Sequence, residues 1–162
     1  MRRIAIVDDQ ESWCFVVQTA LLQQGYLTEA FTDPWQFLQV AEQFDLAIID
    51  YSLPPPRHRL ELDGCALIQR VKTQVARPPL MILISSYFPV EDLNNLKTFC
   101  SEADWILQRP MEIQALLRPI EALFAQRNKP RSKQTWDKDI ASLERSFQAA
   151  SVEATELSWD NR

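Results

Sequence analysis

The stretch from Phe44 to Pro54, F-D-L-A-I-I-D-Y-S-L-P, restricts the fold more than any other part of the chain. Leu46 to Ile49 is unbroken apolar sequence, the pattern of a strand buried on both faces, and it stops at the carboxylate of Asp50. Taken alone, an aspartate in that place reads equally well as the start of the turn that Pro54 continues. A second apolar run, Ile4 to Val7, ends in Asp8 and Asp9, and a third, Leu80 to Ile84, ends in Ser85 and Ser86. Strands that bury both faces need helices above and below them, so these runs imply a parallel sheet within an α/β domain.

The intervening segments supply those helices. Glu11 to Gln24 carries Trp13, Val16, Val17, Ala20 and Leu21 at helical spacing, and Gly25 follows as a C-terminal stop. Leu27 to Phe31 reads as a short strand; Asp33 then reads as an N-cap with Pro34 at the first helical position, opening a helix through Phe37, Leu38 and Ala41. Pro54, Pro55 and Pro56, followed by Arg57, His58 and Arg59, favour extended backbone and forbid helix in the connection to Leu62. Asp63-Gly64 closes a turn, and Ala66, Leu67, Arg70 and Val71 begin a helix that must stop before Pro78. Val90 to Cys100 reads as a helix and Trp105 to Leu107 as a strand. Met111 to Gln126 reads as a last helix burying Ile113, Leu116, Leu117, Ile120, Leu123 and Phe124, with Pro119 expected to kink it or restart its first turn.

The expectation is a doubly wound, five-stranded parallel sheet of flavodoxin-like order 2-1-3-4-5, with a C-terminal helical extension. Residues 1–127 form the domain, 128–135 a basic linker and 136–158 an amphipathic helix. In that helix Trp136, Ile140, Leu143, Phe147, Ala150, Ala154 and Leu157 recur at alternating steps of four and three, a heptad seam. Such a seam serves either a helix that packs back on the domain or one that binds a partner, including a second copy.

Composition narrows the function. A net charge of -5 opposes unaided binding of nucleic acid, and with only two glycines, Gly25 and Gly64, no Gly-rich phosphate cradle can be written. Cys14, Cys65 and Cys100 are an odd set at wide spacings, read as small buried hydrophobes in a reducing compartment. No apolar stretch reaches the ~20 residues of a membrane span, so a cytoplasmic protein without membrane contact is expected. His58 is the only histidine and reads as an exposed loop residue.

In open α/β sheets the ligand site lies beyond the carboxyl ends of the strands, where the strand order reverses. With the order above that point falls between the first and third strands, which places Asp8 and Asp9 beside Asp50. Crowded carboxylates disfavour one another's ionised forms, and a hard divalent cation relieves the repulsion. The chemistry suggested is Mg²⁺ binding with Asp50 as a nucleophile toward phosphorus.

The ordered set I-A-I-V-D-D (Ile4–Asp9), I-I-D-Y-S-L-P (Ile48–Pro54), D-G (Asp63, Gly64), I-L-I-S-S (Ile82–Ser86) and R-P (Arg109, Pro110) resembles the receiver domain of two-component response regulators. The resemblance implies that Asp50 accepts a phosphoryl group from a histidine kinase or phosphotransfer protein. It implies that Asp8 and Asp9 hold Mg²⁺ together with Asp50 and the backbone carbonyl of Ser52, and that the Ser85 hydroxyl turns toward the phosphorylated aspartate. The module is then not an enzyme. Its output would be contact with a downstream protein, through the C-terminal helix or the face near the fourth and fifth helices, without direct nucleic-acid binding.

The chain departs from the family in two places. Arg109 stands where the family has lysine, and the proline-rich connection is long; both favour a second reading, a phosphorylation-independent binding scaffold. At the position on the fifth strand where the family usually has an aromatic residue the chain has Ile106, and Tyr87 beyond Ser85 is expected to slow loss of the phosphoryl group. A phosphatase of the haloacid dehalogenase kind would want a second aspartate where Ser52 stands.

Overall fold

The computed structural model describes residues 1–53, 62–86 and 99–128. The proline-rich connection with His58, Tyr87, nearly all of the helix expected over Val90–Cys100, and all but the first residue of the linker and tail lie outside them. Two compact units divide the chain, Met1–Phe124 and Ala125–Arg162.

Five strands build the sheet: β1 (Arg3–Val7), β2 (Leu27–Phe31), β3 (Leu46–Asp50), β4 (Leu80–Ser85) and β5 (Trp105–Gln108). They pair in parallel in the order β2-β1-β3-β4-β5. The described helices are α1 (Glu11–Gln23), α2 (Pro34–Val40), α3 (Gly64–Gln74) and α4 (Ile113–Asn128), with a 3₁₀ turn at Ala41–Gln43. The doubly wound sheet expected from the apolar runs is therefore present.

Alternation along the three central strands explains why each had to be apolar throughout. Ala5, Val7, Ala47, Ile49, Met81 and Leu83 enter one core with Phe37, Leu67 and Val71. Ile4, Ile6, Leu46, Ile48, Ile82 and Ile84 enter the other with Leu21, Leu116 and Ile120. Successive side chains point to opposite faces, and both faces are roofed by helices.

Local signals set the helix ends. The Asp33 carboxylate accepts a hydrogen bond from the Trp35 N–H at 2.8 Å, with Pro34 at the first helical position. Asp63 does the same for the Ala66 N–H at 2.7 Å, so the Asp-Gly pair starts α3 directly. Gly25 ends α1 with a φ of 83°, the left-handed conformation that favours glycine. Pro119 lies inside α4 and is buried.

The buried face of α1 differs from the sequence expectation. Cys14, Val17 and Leu21 are buried, whereas Val16 is 57% exposed. Val16 and Val17 are 100° apart on a helix, and a buried stripe centred on Cys14, Val17 and Leu21 leaves Val16 on its solvent side.

Gly64 controls how closely α3 approaches the end of β3. Its N–H donates to the Tyr51 carbonyl at 2.9 Å, and a Cβ there would stand 2.4 Å from the Asp50 carbonyl oxygen and 2.8 Å from Tyr51 Cα. These are backbone atoms, so the helix itself must move. Gly64→Ala is expected to cost about 1–3 kcal/mol in urea unfolding, typical of overpacking; an unchanged midpoint would show that α3 withdraws freely.

Candidate functional site

Register places the polar strand ends side by side. Val7 pairs with Ile49, so Asp8 and Asp50 follow level with each other, and Asp50 itself pairs with Ile84, one residue before Ser85. Ser85 pairs with Gln108, which carries Arg109 to the same edge. Backbone bonds continue past the strands: Tyr51 N–H donates to the Ile84 carbonyl and Arg109 N–H to the Ser85 carbonyl, both at 2.8 Å.

Burial then separates two kinds of acid. Asp8 is 0% exposed, Asp50 7% and Ser85 1%, while Asp9 lies exposed on the rim. Among the described residues no three His, Cys, Asp or Glu side chains are grouped to hold a metal ion.

Arg109 joins the two buried acids. One terminal nitrogen, Nη2, donates to Asp8 Oδ2, and the other, Nη1, stands 3.6 Å from Asp50 Oδ1. The remaining carboxylate oxygens are taken by backbone. Asp8 Oδ1 accepts from the Gln10 N–H at 2.8 Å, and Asp50 Oδ2 from the Ser52 N–H at 3.0 Å. Below the guanidinium lies Trp13, whose ring centroid is 3.9 Å from Cζ, a cation–π contact that fixes the plane of the fork. Arg109 Nε is buried without a hydrogen-bond partner.

Burial pushes the Asp50 carboxyl up from 3.8 to about 6, and the charge of Asp8 pushes the same way. Arg109 and the Ser52 N–H oppose both, with Asp9 adding a smaller upward push. Cys14, whose Sγ donates to the Asp8 carbonyl at 3.6 Å, is pushed up to about 11 by burial and then by Asp8. Its thiol stays protonated there, packing behind the site.

No protein-family model matches the chain. The regulatory protein VanRB of Enterococcus faecalis is 29% identical over 126 residues, 75% of this chain and 52% of that protein. The chain spans about half the length of the curated relatives it matches. A CheY-like receiver domain from Methanospirillum hungatei superposes with a TM-score of 0.63 at 24% identity, over 78% of this chain and 95% of that one. The response regulator TrrA of Thermotoga maritima, solved in complex with Mg(2+)-BeF, gives 0.61 at 20% identity, over 76% and 99%.

The chain has the fold of a response regulator receiver domain. Asp8, Asp50, Ser85 and Arg109 come together at the carboxyl edge of the sheet. From Ser52 the contact observed is its N–H to Asp50.

One site residue had no legible role in the sequence. Trp13 was visible only as a hydrophobic position of α1, yet its ring supports Arg109 from the first turn of that helix. The contact joins residues 96 positions apart (109 minus 13), and no spacing rule reaches that far.

The donors present fit a hard cation. Two buried carboxylates, one with its ionised form disfavoured partly by its neighbour, are the oxygen chemistry that Mg²⁺ takes. The guanidinium already on Asp8 is the competitor that such an ion meets.

Proposed function

We propose that this receiver accepts a phosphoryl group on Asp50 from a phosphohistidine donor, a histidine kinase or phosphotransfer protein. The observation that carries the reading is the unequal engagement of the two Asp50 oxygens. Oδ2 is pinned by the Ser52 N–H, while Oδ1 faces Arg109 beyond hydrogen-bond distance. Oδ1 is thus the oxygen left to form the new bond to phosphorus as the donor's P–N bond breaks. With its carboxyl near 6, Asp50 is ionised and nucleophilic at pH 7.5.

Arg109 would then hold the product. The transferred group brings oxygens to a guanidinium that has a buried, unpartnered Nε–H, and charge-assisted bonds to phosphate are strong. Asp8, Asp50 and the Ser52 carbonyl, with Asp9 at the rim, would hold Mg²⁺, which when bound neutralises charge on the transferring oxygens. Ser85, buried one position beyond the partner of Asp50, would turn its hydroxyl toward the new group. Output would pass to a downstream protein through a surface that the added charge of about -1.5 to -2 reshapes.

A second reading, a scaffold that binds partners without phosphorylation, is favoured by one contact. Arg109 on Asp8 partly neutralises the buried acids with the protein's own cation.

Incubation with acetyl phosphate and Mg²⁺, followed by intact mass at neutral and alkaline pH, separates the two. One alkali-labile phosphoryl adduct on wild type, absent from Asp50→Asn, is expected. No adduct on wild type would leave the scaffold, and an undiminished adduct in the variant would remove Asp50 as acceptor.

A further inference from the structure

Two cysteines that stand 35 positions apart in the chain (100 minus 65) meet in the fold. Cys65 occupies the first turn of α3, and its Sγ donates to the Phe99 carbonyl at 3.7 Å, directly before Cys100. Both cysteines line one cavity of about 290 Å³, with Asp63, Gln69, Ser101 and Glu102 around it. Cys65 is half-buried and Cys100 is 5% exposed, so the pair can be reached from the Cys65 side.

Cys14 is placed differently. It sits in the core on the opposite face of the sheet, while Cys100, with Cys65 packed alongside, belongs to the α3 side. No close approach of Cys14 to the other two is possible without unfolding the sheet between them.

We propose that Cys65 and Cys100 form a redox-active dithiol site, which hydrogen peroxide closes to an intramolecular disulfide. The neighbouring Cys65 thiol lowers the Cys100 thiol below its ordinary value, helped by the Ala103 N–H and opposed by burial. The same closeness, followed by burial, raises Cys65. Of the pair, Cys100 is the thiol that loses its proton more readily, and as the thiolate it attacks. Its thiolate takes one peroxide oxygen, breaking the O–O bond and giving a sulfenic acid and hydroxide. The Cys65 sulfur then displaces hydroxide from the sulfenic acid, its proton going to that leaving group. Two thiols and one peroxide yield one disulfide and two waters.

The bond would cross-link parts of the fold that meet near Asp50. Gly64, beside Cys65, rests on the Tyr51 backbone, and the Tyr51 ring packs on Phe99 with centroids 5.0 Å apart. A disulfide would fasten the start of α3 to the segment that enters β5, independently of whether Asp50 is phosphorylated.

The test uses the full chain, treated with hydrogen peroxide, denatured in N-ethylmaleimide and mapped by peptide mass. The expected product joins the Cys65 and Cys100 peptides, loses two hydrogens, leaves Cys14 alkylated and returns to three alkylated cysteines after dithiothreitol. Cys14→Ser should form the same bridge and Cys100→Ser none. Three alkylated cysteines after peroxide, or a main product linking Cys14 or a second chain, would overturn the proposal. The wild-type map decides the matter even if a variant fails to fold.

Discussion

Arg109→Ala is expected to lower unfolding free energy by about 3–5 kcal/mol at pH 7.5 without divalent cations, the cost of leaving buried charge without its partner. The cause is specific to this site. Asp8 is fully buried and Asp50 nearly so, and the guanidinium is the positive group that faces both. Its own side chain is only 11% exposed, so water screens little of the interaction. Without it the Asp50 carboxyl would titrate higher still, and the folded state would bind a proton that the unfolded chain releases. The deficit should therefore shrink as pH falls below about 6, where Asp50 is protonated in both folded proteins. Urea unfolding at pH 7.5 and 4.5 checks this. Equal loss at both pH values would mean that the stacking on Trp13, and not the charge, is what Arg109 contributes.

Arg109→Lys is a useful companion. Lysine keeps the charge but has no planar fork, so it cannot reach Asp8 and Asp50 through two nitrogens while lying flat on Trp13. Recovery of only part of the lost stability is the expected result.

Asp50→Asn should have the opposite sign. The folded protein holds the Asp50 carboxyl near 6, about two units above its ordinary 3.8, so the folded state favours the neutral form. Stability from this group is full below pH 3.8, and it falls as pH rises through that value until the penalty levels off above about 6. Two units correspond to about 3 kcal/mol, and the amide removes the penalty while its oxygen can still accept from Ser52. At pH 7.5 in EDTA the variant should melt higher than wild type by on the order of 10 °C, and the gap should close near pH 4. A variant less stable than wild type at pH 7.5 would show that Arg109 outweighs burial at this carboxylate. A carboxylate whose ionisation costs the fold stability is consistent with the proposal that Asp50 is kept for chemistry.

Much of the architecture was legible because strong, short-range rules set it. Leu46–Ile49 had to be buried on both faces, and it is. Asp33 was the right residue to accept from the first N–H groups of α2, whereas Asp63, read as a turn residue, does the same for α3. Asp50 and Ser85 end their strands and Asp8 and Arg109 directly follow theirs, so once the strands pair in parallel their meeting is a matter of register. The face of α1 was less legible. Trp13, Val16, Val17, Ala20 and Leu21 make one stripe at i, i+3, i+4, i+7 and i+8, and only packing against the sheet turned the helix so that Cys14 is buried and Val16 exposed.

The sequence by itself therefore determined the sheet, its covering helices and the acids at its edge, because periodicity, capping and chain order act over a few residues. Only the tertiary structure decided how those acids are held. It divides Asp8 from Asp9 by burial, sets one guanidinium between Asp8 and Asp50, and slides Trp13 beneath it. It also brings Cys65 to Cys100 while keeping Cys14 on the far face. Each of these depends on distances between residues remote in the chain, and such distances are set by packing, on which local spacing carries no information.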